Sequence, residues 1–218
     1  MNNEIEPIQS AEITEATPIS TPMSFTQTGN NGTQVGHADT VNNNFNVSVV
    51  DTSAFNSDGT INKTSTQLSH EYYNLFVLGR DTQFDGLIGS FIVQSDRVLE
   101  KGYTEEKIRN QFIYLTEVDR ETIKTYPALF MSENREYGEA SANQMAYWGR
   151  VTNIYAHGKD TKIKYHFLKE IPQQKLNELS SELCLARARS FNELNHTHWA
   201  IKNVNLLEEL SDAHIDLF

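Results

Sequence analysis

Apolar and polar positions are distributed unevenly along the chain, and the division predicts two parts. Residues 1–67 show no sustained apolar period and are rich in Thr, Asn, Ser and Gly. From Leu68 onward, apolar runs and aromatic residues recur at short intervals. We therefore predict a polar arm over residues 1–67, disordered or β-prone, followed by one folded domain over residues 68–218.

The folded part alternates between strand-like and helix-like periods. Apolar runs predict six strands, at residues 72–78, 90–93, 128–131, 147–156, 162–168 and 199–202. Thr104 is expected to cap a first helix, and Thr116 with Asp119 has the capping-box spacing for a second. Two further helices are predicted after Pro172 and from Leu206. This uneven order predicts an α+β fold, with a small twisted mixed or antiparallel sheet or a partly closed barrel and about four helices.

The charge balance limits the classes of partner. The chain has 29 acidic and 18 basic residues and a net charge of −11, which opposes broad attraction to nucleic acid or to anionic membranes. Its N-terminal residues lack the pattern of a signal peptide, and the single cysteine, Cys184, cannot form an internal disulfide. We expect a cytoplasmic protein without a membrane partner, and we expect Cys184 to be buried in a helical segment.

The predicted long hairpin offers a possible nucleic-acid surface. Alternation places Lys162 and Lys164 on the outer face of its second strand, and Trp148 with Arg150 on one face of its first. An aromatic ring beside cations is typical of sites that bind single-stranded nucleic acid. An ordinary solvated strand face explains the same residues, and the acidic chain favours that explanation.

One short segment could carry catalysis, although the common phosphate-loop, serine-hydrolase and zincin motifs are absent. Glu193, His196 and His198 lie within six residues, and on a strand the two histidines would point to the same side. Two imidazoles and a carboxylate could hold a metal ion and activate water. The alternative is local hydrogen bonding at the end of a loop. No other cofactor is expected.

The arm contains a degenerate seven-residue repeat. Thr26, Thr33 and Thr40 each begin a unit, and Gly or Asn occupies the fourth place. Recurrent Gly and the absence of an apolar seam exclude a coiled coil. Short β segments separated by turns fit the repeat better.

The repeat resembles the RIP homotypic interaction motif and related bacterial amyloid signalling sequences. The resemblance rests on Gln34-Val35-Gly36 between Thr33 and Asp39, with a second copy at Gln27-Thr28-Gly29. It implies that copies of the chain stack in register as cross-β arches. Asp39 stands where the family has Asn, and a polar linker is the alternative interpretation. The implied self-association residues are Gln27, Gly29, Gln34, Val35, Gly36 and Asp39.

The folded domain is similar to a family of uncharacterised bacterial proteins. The similar stretches are residues 126–130, 171–178 and 191–199. The likeness implies a bacterial or phage origin and no particular activity. The leading hypothesis is therefore an interaction or sensor protein with a homotypic arm, in stress or anti-phage signalling. The alternatives are a metal-assisted hydrolase and a nucleotide- or nucleic-acid-binding module.

Overall fold

A computed structural model describes residues 48–49, 66–188 and 191–217. These residues all belong to one compact unit, Phe45–Phe218. The six self-association residues predicted from the arm lie outside the described residues, and so does the rest of the repeat except Ser48 and Val49.

The described residues include ten strands and four α-helices. The strands are β1 Ser48–Val49, β2 Thr66–Gln67, β3 Tyr73–Leu78, β4 Ile88–Val93, β5 Pro127–Ser132, β6 Met145–His157, β7 Asp160–Pro172, β8 Arg187–Ala188, β9 Phe191–Asn192 and β10 His198–Lys202. The helices are α1 Glu106–Phe112, α2 Glu117–Lys124, α3 Gln173–Glu178 and α4 Leu206–Asp212.

Six strands form one open mixed sheet, in the order β10-β3-β5-β6-β7-β4. The β3–β5 pair is parallel and the other neighbouring pairs are antiparallel. The strands β1–β2 and β8–β9 form two separate pairs. The α+β prediction is confirmed, and of its two versions the structure has the open sheet and not the partly closed barrel.

Each face of the sheet carries its own apolar core. On one face, side chains such as Leu75, Leu129 and Trp148 form a buried cluster that also includes residues of α3 and α4. On the other, Phe76 stacks on Phe130 with ring centroids 5.0 Å apart, in a cluster that includes residues of α1 and α2. Every residue of β3 is buried, because that strand lies between the two layers.

The long hairpin β6–β7 is irregular at two places. Register shifts occur between Trp148 and Gly149 and between Val151 and Asn153. At the first, a Cβ on Gly149 would collide with the carbonyl oxygen of His166, so the close approach of the two backbones requires glycine. Bulges of this kind bend a strand and increase its twist. The hairpin contributes side chains to both cores.

The two helix-cap predictions have different outcomes. Thr116 and Asp119 form a complete capping box at the start of α2, with hydrogen bonds of 3.2 and 2.8 Å. Thr104 does not cap α1, so that prediction is wrong. Glu105 occupies the cap position, and the Thr104 hydroxyl accepts the backbone N–H of Ile201 at 3.2 Å. The Thr104 hydroxyl is therefore used in a tertiary contact with β10 and not, as the sequence predicted, in capping α1.

Cys184 is exposed, and the prediction that it is buried is wrong. Helix α3 ends at Glu178, so the helical spacing on which the prediction depended does not reach the cysteine. Cys184 instead occupies a turn with φ of 52°. None of the helices in the described ranges is long and apolar enough to cross a membrane.

Candidate functional site

Three charged or titratable side chains are buried together beside β10. Glu193 begins a short 3-10 turn after β9, and His198 and Lys202 are the first and last residues of β10. Their exposed fractions are 0% for Glu193, 1% for His198 and 6% for Lys202. Residues four apart on a strand share a face, so β10 directs the side chains of His198 and Lys202 toward the same carboxylate.

The Glu193 carboxylate has a partner on every side. Its Oε1 lies 2.9 Å from His198 Nε2, and Lys202 Nζ lies 2.7 Å from Oε1 and 2.9 Å from Oε2. The backbone N–H of Ala186 donates to Oε2 at 2.6 Å. Lys202 Nζ also donates to the carbonyl of Tyr103 at 2.9 Å. Such complete pairing is what makes a buried charge tolerable.

These contacts control the ionisation of the cluster. Burial acts to raise the pKa of Glu193, but the hydrogen bond from His198 and the charge of Lys202 together hold that pKa below its ordinary value of 4.5. The carboxylate is therefore ionised at neutral pH. Burial, with the nearby charge of Glu193, raises the pKa of Tyr73 well above 10. Tyr73 thus remains a neutral phenol, and it donates to the Leu183 carbonyl at 2.8 Å.

His196 lies beside His198 but uses a different carboxylate. The two imidazole centroids are 5.9 Å apart, and both rings pack against Tyr103, at 5.2 and 4.5 Å. His196 Nε2 lies 3.0 Å from Glu100 Oε1, whereas His198 pairs with Glu193. The structure therefore brings the predicted histidines together without giving them a shared carboxylate.

The ring nitrogens of His198 are both engaged within the protein. Nδ1 contacts the carbonyl oxygen of His196 at 2.7 Å, and Nε2 contacts Glu193. A metal ion at His198 would have to displace one of these bonds. Within the described ranges, no group of three or more His, Cys, Asp or Glu side chains is arranged to hold a metal ion.

A buried amide network holds the loop that carries Glu193. Asn134 and Asn177 exchange side-chain hydrogen bonds of 2.9 and 3.1 Å, and Gln173 donates to Asn134 at 2.9 Å. Asn192 donates to Asn177 at 3.4 Å, and its oxygen accepts the backbone N–H of Leu194 at 2.9 Å. The turn containing Glu193 is thereby fixed to the end of β5 and to α3. The network therefore positions the Glu193 carboxylate through contacts within the protein.

A cleft of about 510 Å³ lies next to the cluster. Lys202, Tyr103, Cys184 and Ala186 are among the residues that line it. Its volume is within the range of small-molecule sites. Glu193 and His198 do not line it, and the ammonium of Lys202 is directed at Glu193 and the Tyr103 carbonyl. The cleft therefore borders Lys202 but does not reach Glu193 or His198.

The four residues suggested for nucleic-acid binding do not form one accessible surface. Trp148 is 1% exposed and Arg150 is 6% exposed, so the prediction that these two lie on an open face is wrong. Trp148 belongs to the core cluster that contains Leu129, because the sheet face under it is covered. Lys164 is exposed, with its ammonium 5.4 Å from the Tyr155 ring, and Lys162 is half-buried.

Sequence reasoning found Glu193 and His198 but missed Lys202 and the amide network. A signal for Lys202 existed, because it ends the strand predicted over residues 199–202. If that strand began one residue earlier, at His198, both side chains would share a face. Asn134 and Asn177 are 43 residues apart, and no local spacing relates them. Comparison with known protein families, curated proteins and solved structures finds no match to this chain.

Proposed function

We propose that this protein is an interaction protein that associates with copies of itself. The observation that carries the proposal is a set of exposed apolar side chains at one edge of the sheet. Leu87 is 62% exposed, Ile88 is 67% exposed and Ile92 is 48% exposed, all on or next to β4. A sheet edge that carries exposed apolar side chains is a site where another protein chain can pair.

The burial of the predicted catalytic residues supports this proposal over the hydrolase. A general base must be within hydrogen-bond reach of its substrate or water. Glu193 and His198 are almost fully buried and pair with each other, and the neighbouring cleft is lined by neither. Their arrangement is that of a buried structural pair whose polar groups are hydrogen-bonded within the protein.

The burial of Trp148 likewise weakens the nucleic-acid alternative. Stacking of a base on an aromatic ring needs an accessible ring face, and Trp148 is 1% exposed. Lys162 and Lys164 remain as a small basic patch on a chain with a net charge of −11. A patch of this size gives weak, salt-sensitive attraction to phosphate.

The repeat in the arm supplies a second argument for self-association. Its Gln34-Val35-Gly36 core resembles motifs in which identical chains stack, and the proposal of a place in bacterial stress or anti-phage signalling is an extrapolation from that resemblance. The arm argument depends on sequence alone and is independent of β4. Two separate homotypic elements would make assembly steeply dependent on concentration.

Sedimentation of the full chain tests the proposal. We expect the mean molar mass to rise between about 2 and 200 μM, the upper limit corresponding to an association free energy of about −5 kcal/mol. Gly36→Asp should reduce any large assemblies, because stacked aspartates repel each other. A chain that stays monomeric over the whole range contradicts the proposal.

A further inference from the structure

The two edges of the six-stranded sheet differ in how they are protected. Strand β10 forms one edge, and all five of its residues are buried. Strand β4 forms the other edge, and five of its six residues are exposed or half-buried. Among the described strands, β4 pairs with β7 alone. Its sequence, Ile-Gly-Ser-Phe-Ile-Val, contains neither the charged side chain nor the proline that usually blocks edge-to-edge pairing.

The register of β4 shows which backbone groups face outward. The backbone N–H of Phe167 in β7 donates to the carbonyl of Leu87 at 2.7 Å. Successive residues of a strand direct their backbone groups alternately to the two sides. Since the backbone carbonyl of Leu87 points toward β7, the backbone N–H and C=O groups of Ile88, Ser90 and Ile92 point away from the sheet.

These three residues form a self-complementary row. If two β4 strands pair antiparallel around a twofold axis at Ser90, Ile88 of one copy lies opposite Ile92 of the other. Directly opposite residues share a face, so each isoleucine packs against an isoleucine. All three residues direct both backbone groups outward, so the register makes six hydrogen bonds between copies. The same patch on both subunits is what a twofold interface requires.

We propose that a second copy of this chain pairs with β4 in this register, joining two six-stranded sheets into one. This inference rests on the proposed self-association and names its surface. The basic residues nearby do not oppose it. Lys164 lies opposite Ser90 on β7, so the two copies of Lys164 are about three strand spacings apart, roughly 14 Å. That distance exceeds the screening length of about 8 Å in physiological salt.

The strand pair is short, which determines how strong the dimer is. Stable interfaces bury about 1,200–2,000 Å² in total, more than two six-residue strands bury by themselves. We therefore expect a reversible dimer with a dissociation constant of about 10–100 μM.

Replacing Ile88 with lysine puts a charge opposite Ile92 of the partner copy and should raise the dissociation constant at least tenfold. Val118→Lys is the matched control, since Val118 is 74% exposed on α2 and the charge change is the same.

Cysteine cross-linking of the full chain tests the register, with Cys184→Ser as background to remove the native thiol. Ser90→Cys should cross-link to itself on mild oxidation, because opposite Cα atoms in such a pair are about 5.5 Å apart and a disulfide spans that distance. Ile88→Cys alone should not cross-link, since its two copies are about 14 Å apart. A mixture of Ile88→Cys and Ile92→Cys chains should cross-link.

The outcomes separate this inference from the proposed function. Ser90→Cys chains that associate by sedimentation without cross-linking would overturn the β4 register and leave self-association intact. Chains that neither associate nor cross-link would overturn both. Equal weakening of association by Ile88→Lys and Val118→Lys would show that the effect is not specific to β4 and would contradict the β4 surface. Circular dichroism of each variant confirms that it is folded.

Discussion

Glu193 is the residue on which the buried charged contacts beside β10 converge. Its carboxylate is fully buried and accepts hydrogen bonds from Lys202, His198 and the Ala186 backbone. Replacing one member of a buried ion pair leaves the other charge without compensation, and this commonly costs about 3–5 kcal/mol. The cluster is therefore where single substitutions should affect stability most.

We predict that Glu193→Gln lowers the free energy of unfolding by about 3–5 kcal/mol at neutral pH. The pKa of Glu193 is lower in the folded state than the ordinary value of 4.5. Its contribution is thus complete above pH 4.5 and is lost as pH falls through the folded-state pKa. Urea unfolding should show that the difference in free energy of unfolding between variant and native protein becomes smaller below pH 4.5. Glu178→Gln, on an exposed side chain of α3, is the control.

At the scale of elements, the β6–β7 hairpin contributes side chains to both cores. Gly149 lies at its first register shift, where a Cβ would also come within 2.9 Å of the Phe167 Cα. The obstacle is backbone, which cannot rotate away as a flexible side chain can. A single methyl group at this position therefore disturbs the pairing of both strands.

We predict that Gly149→Ala destabilises the protein by about 1–3 kcal/mol, the usual effect of overpacking. Gly79→Ala is the matched control, because its added Cβ has its nearest neighbour, Thr82 Oγ1, at 3.8 Å. That control should change stability by less than about 0.5 kcal/mol. Thermal unfolding of the two variants gives the comparison. Equal unfolding temperatures for the two variants would show that the hairpin can relax around the methyl group and would contradict the prediction.

At the scale of the whole molecule, net charge and the exposed apolar side chains of β4 act on self-association in opposite directions. Copies that each carry −11 repel one another, whereas the β4 edges attract at short range. We predict that raising the salt concentration from about 50 to 500 mM strengthens self-association, because screening reduces the repulsion and leaves apolar contacts in place. Sedimentation at fixed protein concentration measures this. Association that weakens with salt would indicate an interface made by attraction between unlike charges.

The sequence by itself determined the elements whose signals are local. Alternating or continuous apolar runs located the six strands of the main sheet, and Thr116 with Asp119 located the start of α2. These succeeded because a strand face or a helix cap depends on residues only a few positions apart. The α+β class followed from the order of those elements.

Only the tertiary structure decided which polar side chains are buried and which edge is open. Thr104 bonds β10 and does not cap its helix, and Trp148 enters a core where the sequence allowed an open face. Glu193 is joined to Lys202 through a fold in which β10 lies at one edge and β4 at the other. The burial of a side chain and the identity of its hydrogen-bond partner depend on residues far apart in the chain. Apolar periodicity carries no information about which distant residue will contact a given side chain. The sequence therefore supplied the candidates Glu193 and His198, and the structure showed them paired with each other in the interior.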